Sequence, residues 1–319
     1  MQIPPPQNGL VTLIDKRHAE AAGRLPRPHM GASALGHPCD RWLWLSFRWA
    51  VIEEHEGRML RLFRRGQMEE HTILADLELA GVKIESTQAH FTFGGHLSGS
   101  ADAIVSNIPE APKTQHVAEF KTHNEKSFAE LEKVGVAKAK PMHWVQMQVY
   151  MHGAGLDRAL YVGVNKNDDR LHVERIHYDK AAATAAIERG HRISESDRMP
   201  EPVASASPAW YQCKFCPAYT FCHQTKLTRE VNCRTCAHST ARPDGYWHCG
   251  VFDDVIPVPA QRKGCTSHVL HPDLVPWEMM ESDDGVTGVW KIEDKVERNG
   301  DPETGARTSF DLINSQVPF

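Results

Sequence analysis

The sequence predicts an α/β fold in which a mixed central sheet is flanked by helices and followed by a cysteine-rich C-terminal metal module. Three observations predict it. Segments of helical and strand periodicity follow one another as helix, three strands, helix, strand, the pattern of one mixed layer fold. Seven of the eight cysteines fall after residue 208, in a stretch with little periodicity of either kind. The 319 residues are 41% apolar and 24% charged, which is globular and long enough for roughly two domains.

The first 30 residues carry Pro4, Pro5, Pro6, Pro26 and Pro28 and read as an arm without much regular structure. Helical periodicity begins after Pro38. From Gly57 to Ala80 it predicts a helix closed by Gly81, with Leu60, Phe63 and Leu74 on one stripe and His71 in its middle at 100° per residue. Residues 88–93 and 97–105 flank Gly94-Gly95-His96 as a hairpin, and 117–121 is a third strand. A helix runs from Pro141 to His152, proline being well placed in a first turn. Strands follow at 158–165 and 170–178, and Asp179 caps an alanine-rich helix to about Ser196. Three prolines between Met199 and Pro208 mark a linker. The expected divisions are an arm over 1–30, the α/β domain over 31–225, a four-cysteine module over 226–272 and an acidic tail over 273–319. In the tail, residues 289–295 and 308–313 can pair as strands around Asn299-Gly300-Asp301, or dock on another protein.

There are no internal repeats and no run near the ~18 apolar residues of a membrane span, and the N-terminal stretch lacks a signal peptide's apolar run. The expectation is a soluble, cytoplasmic protein with no membrane partner. Net charge is −5, but from Pro272 onward 11 acidic residues face 4 basic ones, leaving a mildly basic body. Arg58, Arg61, Arg64 and Arg65 cluster, as do Lys126, Lys133, Lys138 and Lys140; by charge alone a solvated helix face is preferred over a phosphate track.

Glu119 and Lys121 stand two apart on a strand, so both point to one face. Alone they are an ordinary ion pair on a wet sheet face. Asp102 changes this, because it is a charge inside the small, apolar strand 99–104. If the strands are neighbours the two carboxylates converge, and converging carboxylates repel unless a divalent cation holds them. Oxygen ligands suit Mg²⁺ or Mn²⁺. His71 is by itself a satisfied core histidine; facing two carboxylates it becomes a ligand. Gln146 and Tyr150, four apart, share one helix face, which alone reads as a partly buried helix surface.

Taken in order, Gly66-x4-His71, Gly99-x2-Asp102, Glu119-x-Lys121 and Gln146-x3-Tyr150 resemble the RecB-like branch of the PD-(D/E)XK nuclease superfamily, over roughly residues 35 to 225. The resemblance implies a restriction-endonuclease-like core with its site at one end of the sheet. It implies that His71, Asp102 and Glu119, with the carbonyl of Phe120, hold the catalytic metal. Lys121 would orient or deprotonate the attacking water, and Gln146 and Tyr150 would position the lysine and the nucleic-acid backbone.

Without an export signal, cysteines are expected to be reduced and to point to metals. Cys213-x2-Cys216-x5-Cys222 with the remote Cys39 resembles the [4Fe-4S] staple of iron-sulfur RecB-like nucleases, such as AddB-type subunits and the CRISPR-associated exonuclease family; zinc stays open there. Cys233-x2-Cys236-x12-Cys249-x15-Cys265 fits a zinc-ribbon-like module in which His238, His248 or His268 can replace a thiolate. Arg234, Arg242, Arg262 and Lys263 nearby allow nucleic-acid contact, although structural duty is the preferred role. Together these predict a metal-dependent DNA exonuclease acting on ends or single strands in recombination, repair or DNA degradation, phage-encoded or bacterial. No Gly-x4-Gly-Lys-[Ser/Thr] loop is present, so unwinding would come from a helicase or recombination partner. The competing expectation is a DNA-binding adaptor that keeps the nuclease fold without catalysis; an iron-sulfur redox enzyme is less favoured, since all thiolates are committed.

Overall fold

The computed structural model describes residues 9–23 and 25–316. In chain order the elements are α1 (Gly9–Ala22), β1 (Met30–Gly31), α2 (Asp40–Phe47), α3 (Gly57–Leu79), β2 (Lys83–Thr92), β3 (Leu97–Ser106), β4 (His116–His123), α4 (Glu125–Val134), α5 (Val136–Ala139) and α6 (Pro141–Ala154). After these come β5 (Arg158–Asn165), β6 (Leu171–His177), α7 (Lys180–Ser194), α8 (Tyr211–Lys214), β7 (Ser239–Ala241), β8 (Trp247–Cys249), β9 (Asp254–Ile256) and α9 (Val258–Gln261). The chain closes with β10 (Glu278–Met280), β11 (Gly288–Ile292), β12 (Lys295–Asn299) and α10 (Ser309–Ser315). Two compact units form, each discontinuous in sequence: the first takes residues up to 26, 53–91 and 99–183, the second takes 27–52, 92–98 and 184 onward.

In the first unit β2 pairs with β3, and the order then runs β3, β4, β5, β6. Strands β3 and β4 are antiparallel, β4 and β5 parallel, and β5 and β6 antiparallel, so the sheet is mixed. Seven of the eight β5 residues are buried, as expected of a central strand covered on both faces. Helix α3 packs on β4, and α4 and α6 pack on β4 and β5. The core gathers Ile73, Val82, Val105, Phe120, Leu160 and Val162, among others.

Three expectations need correction here. The N-terminal arm contains a helix, α1, which packs along α3 and ion-pairs through Asp15 to Arg61. Gly57 permits that approach, since a Cβ there would lie 2.1 Å from the Asp15 carbonyl oxygen. Next, α4 lies where no helix is expected: it is ten residues long, half of them charged, and only Phe128 and Leu131 are buried. Its start is nonetheless marked, because Asn124 accepts the Ser127 amide at 2.9 Å. Finally, His71 does not lie on the inner stripe of α3. Ile73 is buried, Leu74 and Leu77 pack on the core, and Glu70 precedes them at helical spacing, so His71 is turned out to solvent.

In the second unit β1 pairs parallel with the first residues of β3, and two three-stranded antiparallel sheets follow, β7-β8-β9 and β10-β11-β12. Despite its weak periodicity, this region has an apolar core. Trp290 packs with Val269, Leu270, Ile292, Leu312 and Ile313, and Trp49 and Trp247 are also fully buried. Residues 308–313 form no strand; Thr308 caps α10, whose Leu312 and Ile313 face that core, and β11 pairs with β10 and β12 instead. Arg234 is not on the surface either. It is 1% exposed, stacks 3.8 Å from the Trp49 ring centroid, and donates to the carbonyls of Phe47 and Pro28 at 2.8 and 2.7 Å. Among the described residues, no helix is long and apolar enough to cross a membrane.

Candidate active site

The antiparallel register Ala103↔Ala118, carried one residue further, sets Asp102 opposite Glu119. At this point Asp102 replaces the ladder partner: the Phe120 N–H donates to its Oδ2 at 2.7 Å. Glu119 is 1% exposed. Its Oε1 accepts from the Lys121 ammonium and from Gln146 Nε2, the latter at 2.8 Å, while its Oε2 is buried without a hydrogen-bond partner. Gln146 Nε2 also lies 3.4 Å from the Tyr150 hydroxyl, one turn further along α6.

The acids are displaced in one direction. Burial pushes Glu119 up to about 7 against the pull of Lys121, and Asp102 adds to the rise. Burial raises Asp102 too, opposed by Lys121 and the Phe120 amide. Lys121 is disfavoured as a cation by burial, but Glu119 and Asp102 outweigh this and hold it above its ordinary value, hence protonated. Tyr150 is pushed up to about 12 by burial and Glu119, so it stays a neutral phenol.

The site thus gathers Asp102, Glu119, Lys121, Gln146 and Tyr150. It gathers Glu70, not His71, from α3. Burial and then Asp102 raise the Glu70 carboxyl, Lys121 and His71 lower it, and its Oε2 accepts from Gln88 Nε2 at 3.3 Å. Within β2, Gln88 has φ +48°, a left-handed conformation unusual for a side-chain-bearing residue. The spacing Glu70, Ile73, Leu74, Leu77 carries the signal that identifies Glu70; reading the stripe through His71 missed it.

No family model and no curated protein matches the chain. Among solved structures the chain is similar to SSO0001, at 16% identity over 68% of this chain and 97% of that one, with a TM-score of 0.42. It is also similar to LHK-Exo, an alkaline exonuclease from Laribacter hongkongensis, at 16% identity over 56% of this chain and 90% of that one, with a TM-score of 0.35. The complex of LHK-Exo with dAMP gives 17% identity over the same shares and a TM-score of 0.37.

Among the described residues, no three His, Cys, Asp or Glu side chains are drawn into a metal-holding arrangement. Around Glu119 the Lys121 ammonium occupies Oε1. The donor chemistry still fits a hard divalent ion, because a buried carboxylate oxygen lacks a partner beside two further acids.

In the second unit Cys39, Cys213, Cys216 and Cys222 line one cavity of about 290 Å³ with Trp42 and Trp210. Arg189 holds the segment that presents Cys39, donating to the carbonyls of Leu35 and His37 at 2.9 and 2.7 Å and to Asp40. Burial, with the other three cysteines as minor contributors, raises the Cys222 thiol to about 11. Four thiols sharing one cavity wall fit a cluster that would take their protons.

Thiols of the second set lie near enough to influence one another electrostatically. Burial and neighbouring Cys265 and Cys249 push Cys233 up to about 11; burial does the same for Cys236, against backbone N–H donors at Val269 and His238. The histidines weighed as substitutes are engaged elsewhere: His268 bonds Ser309 at 2.7 Å and the Asn232 carbonyl at 3.0 Å, His238 bonds the Val286 carbonyl at 2.7 Å, and His248 lies 3.2 Å from Asp253.

Proposed function

We propose that the chain is a Mg²⁺- or Mn²⁺-dependent deoxyribonuclease that hydrolyses phosphodiester bonds at DNA ends or in single strands, in recombination, repair or DNA degradation. One observation carries it: the unpartnered, buried Oε2 of Glu119, in a carboxylate whose other oxygen is held by Lys121 and Gln146. The motif order supports the same chemistry. Asp102 and Glu119 would hold the ion, with Glu70 or His71 from α3 and the Phe120 carbonyl as further ligands. When bound, a divalent ion supplies hydroxide from water and neutralises charge on the phosphate.

The chain's own groups divide the remaining work. Lys121, kept as an ammonium by Glu119 and Asp102, stabilises negative charge as the water oxygen bonds to phosphorus and the P–O bond to the leaving oxygen breaks. Gln146 fixes the Glu119 carboxylate, and the neutral Tyr150 hydroxyl lies beside the Gln146 amide. We also propose that Cys39, Cys213, Cys216 and Cys222 carry a structural [4Fe-4S] cluster, and that Cys233, Cys236, Cys249 and Cys265 carry zinc.

The test is cleavage of end-labelled single- and double-stranded DNA with Mn²⁺. Asp102→Asn and Lys121→Ala should each cut the rate at least about 100-fold while DNA affinity changes little. Wild-type protein that binds DNA and cleaves no end or single strand would replace the enzyme with a non-catalytic adaptor.

A further inference from the structure

Helix α3 presents an unusual residue beside the candidate site. Phe63 stands between arginines 61, 64 and 65 and is 43% exposed, so much of its apolar surface gains nothing from folding. The His55 ring meets it edge-on, with centroids 4.8 Å apart and planes at 85°, which supports the phenyl ring on one side. Phe63 lines a groove of about 360 Å³ together with Leu62, Gly66, Phe120, Lys121 and Lys166. That volume falls in the roughly 300–1,000 Å³ range of small-ligand sites. Lys121 and Glu70 line it too, so the groove runs into the acidic cluster.

Lys166 enters from the turn after β5. Its amide donates to the His123 carbonyl at 2.9 Å, which ties the turn to the end of β4. The acids Asp168, Glu125 and Glu132 are engaged by Arg170, leaving the Lys166 ammonium for a ligand. Glu69 also lines the groove, which argues against a general anion site; the cations that line it are Lys121 and Lys166.

We propose that this groove is the subsite for the terminal nucleotide of a single-stranded DNA end, with Phe63 as the stacking platform for the base and Lys166 as a contact to its phosphate. The identity of the ligand rests on the nuclease reading. A flat aromatic ring beside fixed cations is how sequence-tolerant single-strand sites are built, because every base offers a π-face.

The experiment uses the full chain, in EDTA, with a single-stranded oligonucleotide carrying 2-aminopurine at its terminal or at an internal position. Terminal fluorescence should change on binding more than internal fluorescence. Phe63→Leu, which keeps apolar bulk, should weaken binding about tenfold and erase the terminal change, and Phe63→Trp should restore both. Lys166→Ala should lower the slope of log affinity against log salt by roughly 0.7. Unchanged affinity and fluorescence in Phe63→Leu, with Mn²⁺-dependent cleavage intact, overturns the subsite and leaves the nuclease standing. Terminal stacking by a protein that never cleaves supports the subsite and removes the nuclease. A wild-type chain that binds no oligonucleotide overturns both.

Discussion

Gln146 donates to Glu119 Oε1 at 2.8 Å while Oε2 of the same carboxylate has no partner, so a fully buried acid is held on one side and open on the other. Asymmetry of this kind is costly in a folded protein unless a ligand completes it, because an unsatisfied buried charge loses hydration without recompense. Lys121, also on Oε1, reduces that cost and does not relieve Oε2.

Stability should therefore depend on pH through Glu119. Its folded value near 7 lies above its ordinary 4.5, so the folded state keeps a proton that the unfolded chain releases, and stability falls as pH rises from about 4.5 to about 7. Glu119→Gln keeps an oxygen for Lys121 and removes this loss. In metal-free urea unfolding the variant should gain on the order of 3 kcal/mol at pH 8 and almost nothing at pH 4; equal stability of the two proteins at pH 8 counts against a raised Glu119.

Mn²⁺ should raise the melting temperature of the wild type, since a ligand that binds only the folded state stabilises it by mass action. The gain should vanish in Asp102→Asn and Glu119→Gln. Glu70→Gln and His71→Ala decide the α3 ligand: loss in the first and retention in the second follows from Glu70 being the residue electrostatically coupled to Asp102 and Lys121. The reverse pattern restores His71.

Metal analysis of anaerobically purified protein should find about four irons and one zinc per chain, with visible absorption that Cys39→Ser removes. Cys249→Ser should lose the zinc and keep the iron. Zinc at both sites would leave the cysteine cavity as a structural zinc site and remove the iron-sulfur assignment.

The second unit should be acid-labile. Burial lowers His96, His268 and His271 to about 4 from an ordinary 6.5, so the fold holds neutral imidazoles that the unfolded chain protonates. The stability they contribute is complete above about pH 6.5 and is lost as pH falls toward 4. His268→Gln should shrink that loss by on the order of 2 kcal/mol, measured as the difference in urea-unfolding free energy between pH 7 and pH 5. An unchanged difference contradicts a neutral His268.

Local patterns were legible where one periodicity and one cap agree. Asp179, which accepts the Ala182 amide at 3.0 Å, and Pro141 at the start of α6 mark real helix beginnings. The hairpin around Gly94-Gly95 and the run 158–165 likewise became paired strands. Patterns failed where a segment's own residues leave its conformation open until it packs on another element. Helix α1 buries no residue of its own and is held by α3; residues 308–313 suit strand or helix alike until Thr308 caps them and the Trp290 core receives Leu312 and Ile313.

By itself the sequence determined that carboxylates, a lysine and an amide stand at spacings which put each pair on one face of its element, and that eight thiols separate into two sets. Only the tertiary structure decided that Asp102 stands across from Glu119, that Glu70 rather than His71 turns inward, and that Arg234 lies under tryptophans instead of on a surface. The reason is that spacing along a helix or strand is set by local geometry, whereas which face meets the core is settled by packing against other segments of the chain.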